Sequence, residues 1–148
     1  MEILGQLGLV LALGLGAVGS AAGTGIAGQA AAGAWAREAR GEGPLSFNYI
    51  ILVGMPISQT LYAMILMRKL LVVPPEIAIS AGALLLGIGL SGGLAEMVSA
   101  WMQGKVGAAA IRCLSEGGRG FAFLIIAMGI VETVGILALA FLYIAIPG

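Results

Sequence analysis

Glu132 stands in the middle of the last apolar run of the chain, Phe121 to Ile146. An ionised carboxylate at the centre of a membrane helix costs about 2.5–3.5 kcal/mol on insertion scales, so such a residue is read first as a site for a proton or a cation. Its neighbours in depth sharpen the reading. Gln59 lies 12 residues beyond Phe47 and Glu132 lies 11 beyond Phe121, which places both ~17–18 Å from the same end of their helices at 1.5 Å per residue. Gln103 runs the other way, 10 residues before Cys113, or ~15 Å from that end. Ser58, Gln59 and Tyr62 fall at i, i+1 and i+4 and share part of one helix face, with Met55 one turn earlier able to offer a main-chain carbonyl. Pro56 removes a backbone donor and frees the carbonyl of Leu52. Thr133 adds a hydroxyl next to Glu132.

A hard cation takes several oxygen ligands, whereas a proton needs one carboxylate and one hydrogen-bond partner. Two amide oxygens, a hydroxyl, a carboxylate and a carbonyl form a cage suited to Na+. Each of these polar residues taken singly also reads as helix-packing polarity. It is their common depth that makes them a site. Desolvation disfavours the charged form of Glu132, and a bound cation would keep it ionised. Glu96, seven residues before Gln103, falls ~10 Å further from the loop end on a similar face. Two readings of it stay open: a lining of an ion path or a water-filled bore, or a protonated or solvated residue with no direct transport role.

Other chemistry is excluded by residue type. The chain has no His and no Asp, and Cys113 is its single cysteine. A Ser-His-Asp triad, a Cys/His zinc cluster and an internal disulfide are therefore impossible. Gly14-Leu15-Gly16-Ala17-Val18-Gly19 satisfies the G-x-G-x-x-G pattern, but it lies inside a continuous apolar run and not between a strand and a helix, so it is no dinucleotide site. Gln103-Gly104-Lys105 lacks the rest of a phosphate loop. With no nucleotide site, the chain is not an enzyme by itself.

The elements that must hold these residues follow from composition. Of 148 residues, 60% are hydrophobic and 9% charged, with zero net charge, against roughly 45–50% and about 25% in soluble domains. Lipid is the expected solvent, and a basic nucleic-acid face has no support. Met1-Glu2-Ile3 shows no basic region and no small-residue cleavage site follows, so the first apolar run is expected to stay in the mature protein. Apolar runs over about 3–35, 47–67, 77–113 and 121–146 are each long enough to cross a bilayer. The fold class expected is an all-α membrane protein: four transmembrane helices as two tandem hairpins, 1–74 and 75–148.

The separators carry the charges and breakers: Arg37, Glu38, Arg40, Gly41, Glu42, Gly43 and Pro44; Arg68, Lys69, Pro74, Pro75 and Glu76; Arg112, Glu116, Gly117, Gly118 and Arg119. The excess of basic residues in the first and third predicts cytoplasmic loops at 36–46 and 114–120, with both termini outside the cell membrane. The two hairpins are also internally related. Gly28 matches Gly104 and Ala32 matches Ala108 at an offset of 76, and past the loop the offset becomes 74, pairing Phe47 with Phe121 and Ser58 with Glu132. They read as parallel copies, and the second alone carries the carboxylate. Gly and Ala along the first run let helix backbones approach closely, as in a crowded inner layer.

Pro56-Ile57-Ser58-Gln59-Thr60-Leu61-Tyr62, Met102-Gln103-Gly104-Lys105-Val106 and Val131-Glu132-Thr133 resemble motifs of the 16-kDa proteolipid, the K or c component of V-type rotary ATPases, in particular the Na+-translocating bacterial kind. The likeness runs in order through essentially the whole chain. It implies a homo-oligomeric rotor ring turning against a stator membrane subunit that bears an Arg, with a central-stalk subunit docked on the cytoplasmic loops. By position it makes Glu132 the ion-binding carboxylate, Gln59 and Gln103 side-chain ligands, Ser58 a hydroxyl ligand, Met55 a main-chain ligand, and Tyr62 a partner closing the site on Glu132. Bound Na+ or H+ would be the only cofactor. Ser58 stands where the Na+-type motif has Thr, which keeps the oxygen; Glu96 stands where the family has a small residue. The function implied is Na+ translocation, one ion per protomer, coupled to ATP hydrolysis elsewhere. The alternatives are a proton-translocating ring using the same Glu132 and a four-helix cation or drug antiporter, which nine aromatic residues, several near loops, serve poorly.

Overall fold

The computed structural model describes residues 3–41 and 43–147. Met1 and Glu2, the loop residue Glu42, and Gly148 lie outside the described residues. The elements in order are α1 (Ile3–Glu38), α2 (Asn48–Gly54), a 3-10 turn (Met55–Ile57), α3 (Ser58–Leu71), α4 (Pro75–Ser80), α5 (Gly82–Ser115) and α6 (Phe121–Ala145). Counting α2, the turn and α3 as one span, four helical segments are long and apolar enough to cross a membrane. In lipid a backbone must satisfy its own polar groups, which is why Gly-rich runs that would be poor helices in water stay helical here.

Several boundaries differ from the sequence expectation. The third run is not continuous from 77: α4 ends at Ser80, and the long helix starts at Gly82. The Ser80 hydroxyl donates back to the carbonyls of Glu76 and Ile77 at 3.1 and 3.2 Å, and Gly82, a weak helix former, opens the long helix. The first and second spans run past 35 and 67 to Glu38 and Leu71, carrying Arg37, Glu38, Arg68 and Lys69 on helix instead of loop.

The helices α1 and α5 run side by side in the same direction. A methyl added at Gly8, Gly19 or Gly23 would strike the α5 backbone at Leu85, Met97 or Ala100, and one at Gly89 or Gly104 would strike the α1 backbone at Gly8 or Gly23. Only Gly permits this approach, and close van der Waals contact is what holds helices together where lipid competes for every apolar side chain. Of the four spans α6 is the least covered, with 11% of its most apolar stretch buried against 44% for α5.

Apolar packing is split in two. One cluster gathers Ala12, Leu66, Leu70, Leu85 and Ile88 near the termini. The other gathers Ala27, Ala31, Tyr49, Leu52, Ile111 and Met128 near the hairpin loops. The buried polar residues Ser20, Gln59, Glu96, Ser99 and Gln103 form a layer between them, shielded at both ends by hydrocarbon.

The first hairpin loop is tied from within. Glu38 accepts from the Ser46 N–H at 2.9 Å and the Tyr49 hydroxyl at 2.5 Å, while the Trp35 indole donates to the Ser46 carbonyl at 2.9 Å. Arg37 reaches across to the Ser115 hydroxyl at 2.9 Å and links the two hairpins at their loop ends. The second loop turns through Gly117 and Gly120, whose φ values of 85° and 93° favour glycine.

Candidate ion-binding site

The polar layer is centred on Glu132, half-buried on α6. From α3, the Tyr62 hydroxyl donates to Glu132 Oε1 at 2.8 Å. From α5, Gln103 Nε2 lies 3.4 Å from Glu132 Oε2 and 3.2 Å from the Met128 carbonyl. Three helices thus converge on one carboxylate at the depth that residue counting predicts. Gln103 is fully buried, and its Oε1 has no hydrogen-bond partner. Burying an amide oxygen unmatched is unfavourable, so this atom could take a ligand.

A second cluster stands beside the first. Pro56 sits in the 3-10 turn that separates α2 from α3. Tightening the helix there leaves the Met55 carbonyl to accept the Ser58 hydroxyl at 2.9 Å, and that hydroxyl also lies 3.2 Å from Gln59 Oε1. Gln59 is fully buried, and its Nε2 donates to Ser99 Oγ at 3.3 Å. Ser99 in turn donates to the carbonyl of Val131, the residue before Glu132, at 3.2 Å. Met55, Ser58 and Gln59 therefore connect to the Glu132 helix through Ser99, while Tyr62 and Gln103 touch Glu132 directly. The Leu52 carbonyl freed by Pro56 faces α5 at Gly107, where an added methyl would lie 2.9 Å from it.

The structure does not bring Thr133 to these residues. Thr133 is exposed, and its hydroxyl donates to Gly129 of its own helix at 2.8 Å. One residue along a helix is about 100° around it, so adjacency to Glu132 in sequence turns Thr133 away from α3 and α5.

Residue counting misses Ser99. Its signal is present, because Glu96, Ser99 and Gln103 stand at i, i+3 and i+7 and form one stripe on α5. Glu96 is 1% exposed, and its Oε2 lies against Gly135 of α6, 2.6 Å from where a methyl on that residue would sit. It is packed inside the protomer.

The family model for the C subunit of ATP synthase matches the chain twice, over residues 7–67 and 86–145. One match falls on α1 to α3 and the other on α5 and α6. Among curated proteins, no relative matches the chain.

Proposed function

The chain belongs to the ATP synthase C-subunit family, non-catalytic ion-translocating components of a membrane rotor ring, and on that premise we propose that this ring is of the V type and carries Na+ at Glu132. The supporting observation is the oxygens of two adjoining clusters: Gln103 Oε1, buried and unmatched on the residue that meets Glu132, with Gln59 Oε1, the Ser58 hydroxyl and the Met55 carbonyl close together on the neighbouring helix and tied to the Glu132 helix through Ser99. A proton would need none of them. Rotation of the Gln103 amide would exchange its Nε2 for Oε1 at Glu132, so that a cation there could share the carboxylate and the amide oxygen. The Tyr62 hydroxyl would hold Glu132 turned towards α3, closing the site.

The cycle follows from electrostatics. Glu132 must be neutralised by its ion while the outer helices face lipid, and it releases that ion where a stator Arg offers an opposite charge. Each charge carried across works against about 2.3 kcal/mol per 100 mV. One exchanging carboxylate per four helices lowers the ions moved per turn and raises the force available per ion, which suits a pump driven by ATP hydrolysis. In this reading the loops at 36–46 and 114–120 face the cytoplasm and meet the central stalk, and both termini lie outside.

A proton-translocating ring is the second reading. It is favoured by the amide Nε2 of Gln103, not its oxygen, facing Glu132. Labelling of the purified ring with a hydrophobic carbodiimide separates the two. Protection of Glu132 by millimolar Na+ but not K+ is the expected result; labelling that Na+ does not slow makes the ring a proton carrier, and an inert Glu132 removes the ion site altogether.

A further inference from the structure

Glu96 is the second carboxyl of the membrane layer, and the ion site does not use it. It is 1% exposed, Oε2 has no hydrogen-bond partner, and the charge that faces it is Glu132. The two lysines lie elsewhere, Lys69 over the Tyr143 ring and Lys105 over the Trp101 ring. From α6, Glu96 meets Gly135. An ionised Glu96 would therefore be an unpaired charge in hydrocarbon, beside a second carboxylate that one monovalent ion already neutralises.

We propose that Glu96 is a proton-binding site that does not exchange: its carboxyl keeps its proton throughout, so each protomer holds one exchanging cation at Glu132 and one retained proton at Glu96. Ser99 supplies the acceptor. A hydroxyl has one donor and two acceptor positions. Ser99 Oγ donates to the Val131 carbonyl and accepts from Gln59 Nε2, which leaves one position open. Glu96 Oε2 and Ser99 Oγ line the same notch at Gly135, 2.6 and 3.2 Å from the place of its missing methyl, so the acid O–H has this hydroxyl to turn to. The first hairpin carries a neutral pair at the matching place. The offset of 76 puts Ser20 where Glu96 stands, and Ser20 Oγ bonds the Thr60 hydroxyl at 2.8 Å.

Only the exchange at Glu132 rests on the rotor reading; the retained proton is tested apart from it. Infrared spectra of the purified ring are recorded in saturating Na+ for the wild type and Glu96→Gln, and bound radioactive Na+ is counted. The expected result is a carboxylic-acid carbonyl band that persists in Na+, disappears in Glu96→Gln, and accompanies one Na+ per protomer. Should Glu96→Gln fail to assemble, Glu132→Gln serves, because Glu96 is then the one carboxyl left in mid-membrane by sequence. Its acid band is expected to ignore Na+. Absence of that band, its loss on adding Na+, or two Na+ per wild-type protomer overturns the proposal. Failure of Na+ to protect Glu132 would defeat the sodium reading while leaving the Glu96 band to be read in the same spectra.

Discussion

The two hairpins share one architecture and hold their polar groups differently. In the first, Thr60 of α3 bonds Ser20 of α1 at 2.8 Å and reaches the Gly16 carbonyl at 3.5 Å. These are hydroxyls that satisfy one another. In the second, Glu96, Gln103 and Glu132 occupy the layer, and the two orphaned buried side-chain atoms among the described residues, Glu96 Oε2 and Gln103 Oε1, are both there. A hydroxyl pair is complete in itself and serves as glue. Carboxyls and amides with atoms left over need something brought from outside, so the second hairpin supplies the unmatched atoms of a layer in which Gln59 and Tyr62 of the first also take part.

The contrast is broken most severely at the backbone. Gly28 and Gly104 are repeat counterparts, yet an added methyl meets only Val53 Cγ1 at 3.9 Å from the first and the Gly23 backbone from the second. Gly104→Ala is expected to abolish ring assembly, since backbone cannot rotate aside. Gly28→Ala should assemble with a melting temperature at or above the wild type, consistent with a helix-propensity gain of up to about 1 kcal/mol. Size-exclusion mass and thermal melting in detergent check both, and equal tolerance at the two positions would dissolve the asymmetry.

A smaller effect is expected at the site. Tyr62→Phe removes the hydroxyl held 2.8 Å from Glu132, and hydrogen bonds to charged groups contribute about 1.5–3 kcal/mol. The Na+ concentration that half-protects Glu132 from carbodiimide should rise by about tenfold or more, with assembly intact. An unchanged midpoint would show that Tyr62 does not close the site.

The smallest effect belongs to the first hairpin. Thr60→Val exchanges a hydroxyl for a methyl and leaves Ser20 without its partner on α3. About 1 kcal/mol of stability should be lost, read as a lower melting temperature. The Na+ midpoint should move by less than about twofold, because that bond joins α3 to α1 and involves none of the oxygens assigned to the ion. A large shift there would mean that the α1–α3 contact positions Ser58 and Gln59 for the ion.

Much of this is legible in residue order. The helical rise is fixed, so counting from Phe47, Phe121 and Cys113 sets the depth of Gln59, Glu132 and Gln103 before any packing is known, and Tyr62 and Gln103 do meet Glu132. Rotation about each helix is another matter. Thr133 shares that depth and faces away, and Ser99 escapes a count of depths although it lies on the same stripe as Gln103. The break before Gly82 is local, between α4 and α5, and apolar periodicity runs through it without a sign.

The sequence by itself determined that this is a four-span membrane protein with a carboxylate at mid-depth, because hydropathy, helix rise and the absence of His and Asp leave no other use for such residues. Tertiary structure alone decided which polar groups touch. Contact between helices depends on how closely their backbones approach and how each is turned, and here the glycines of α1 and α5 set that approach, with Gly135 of α6 leaving the notch that Glu96 fills.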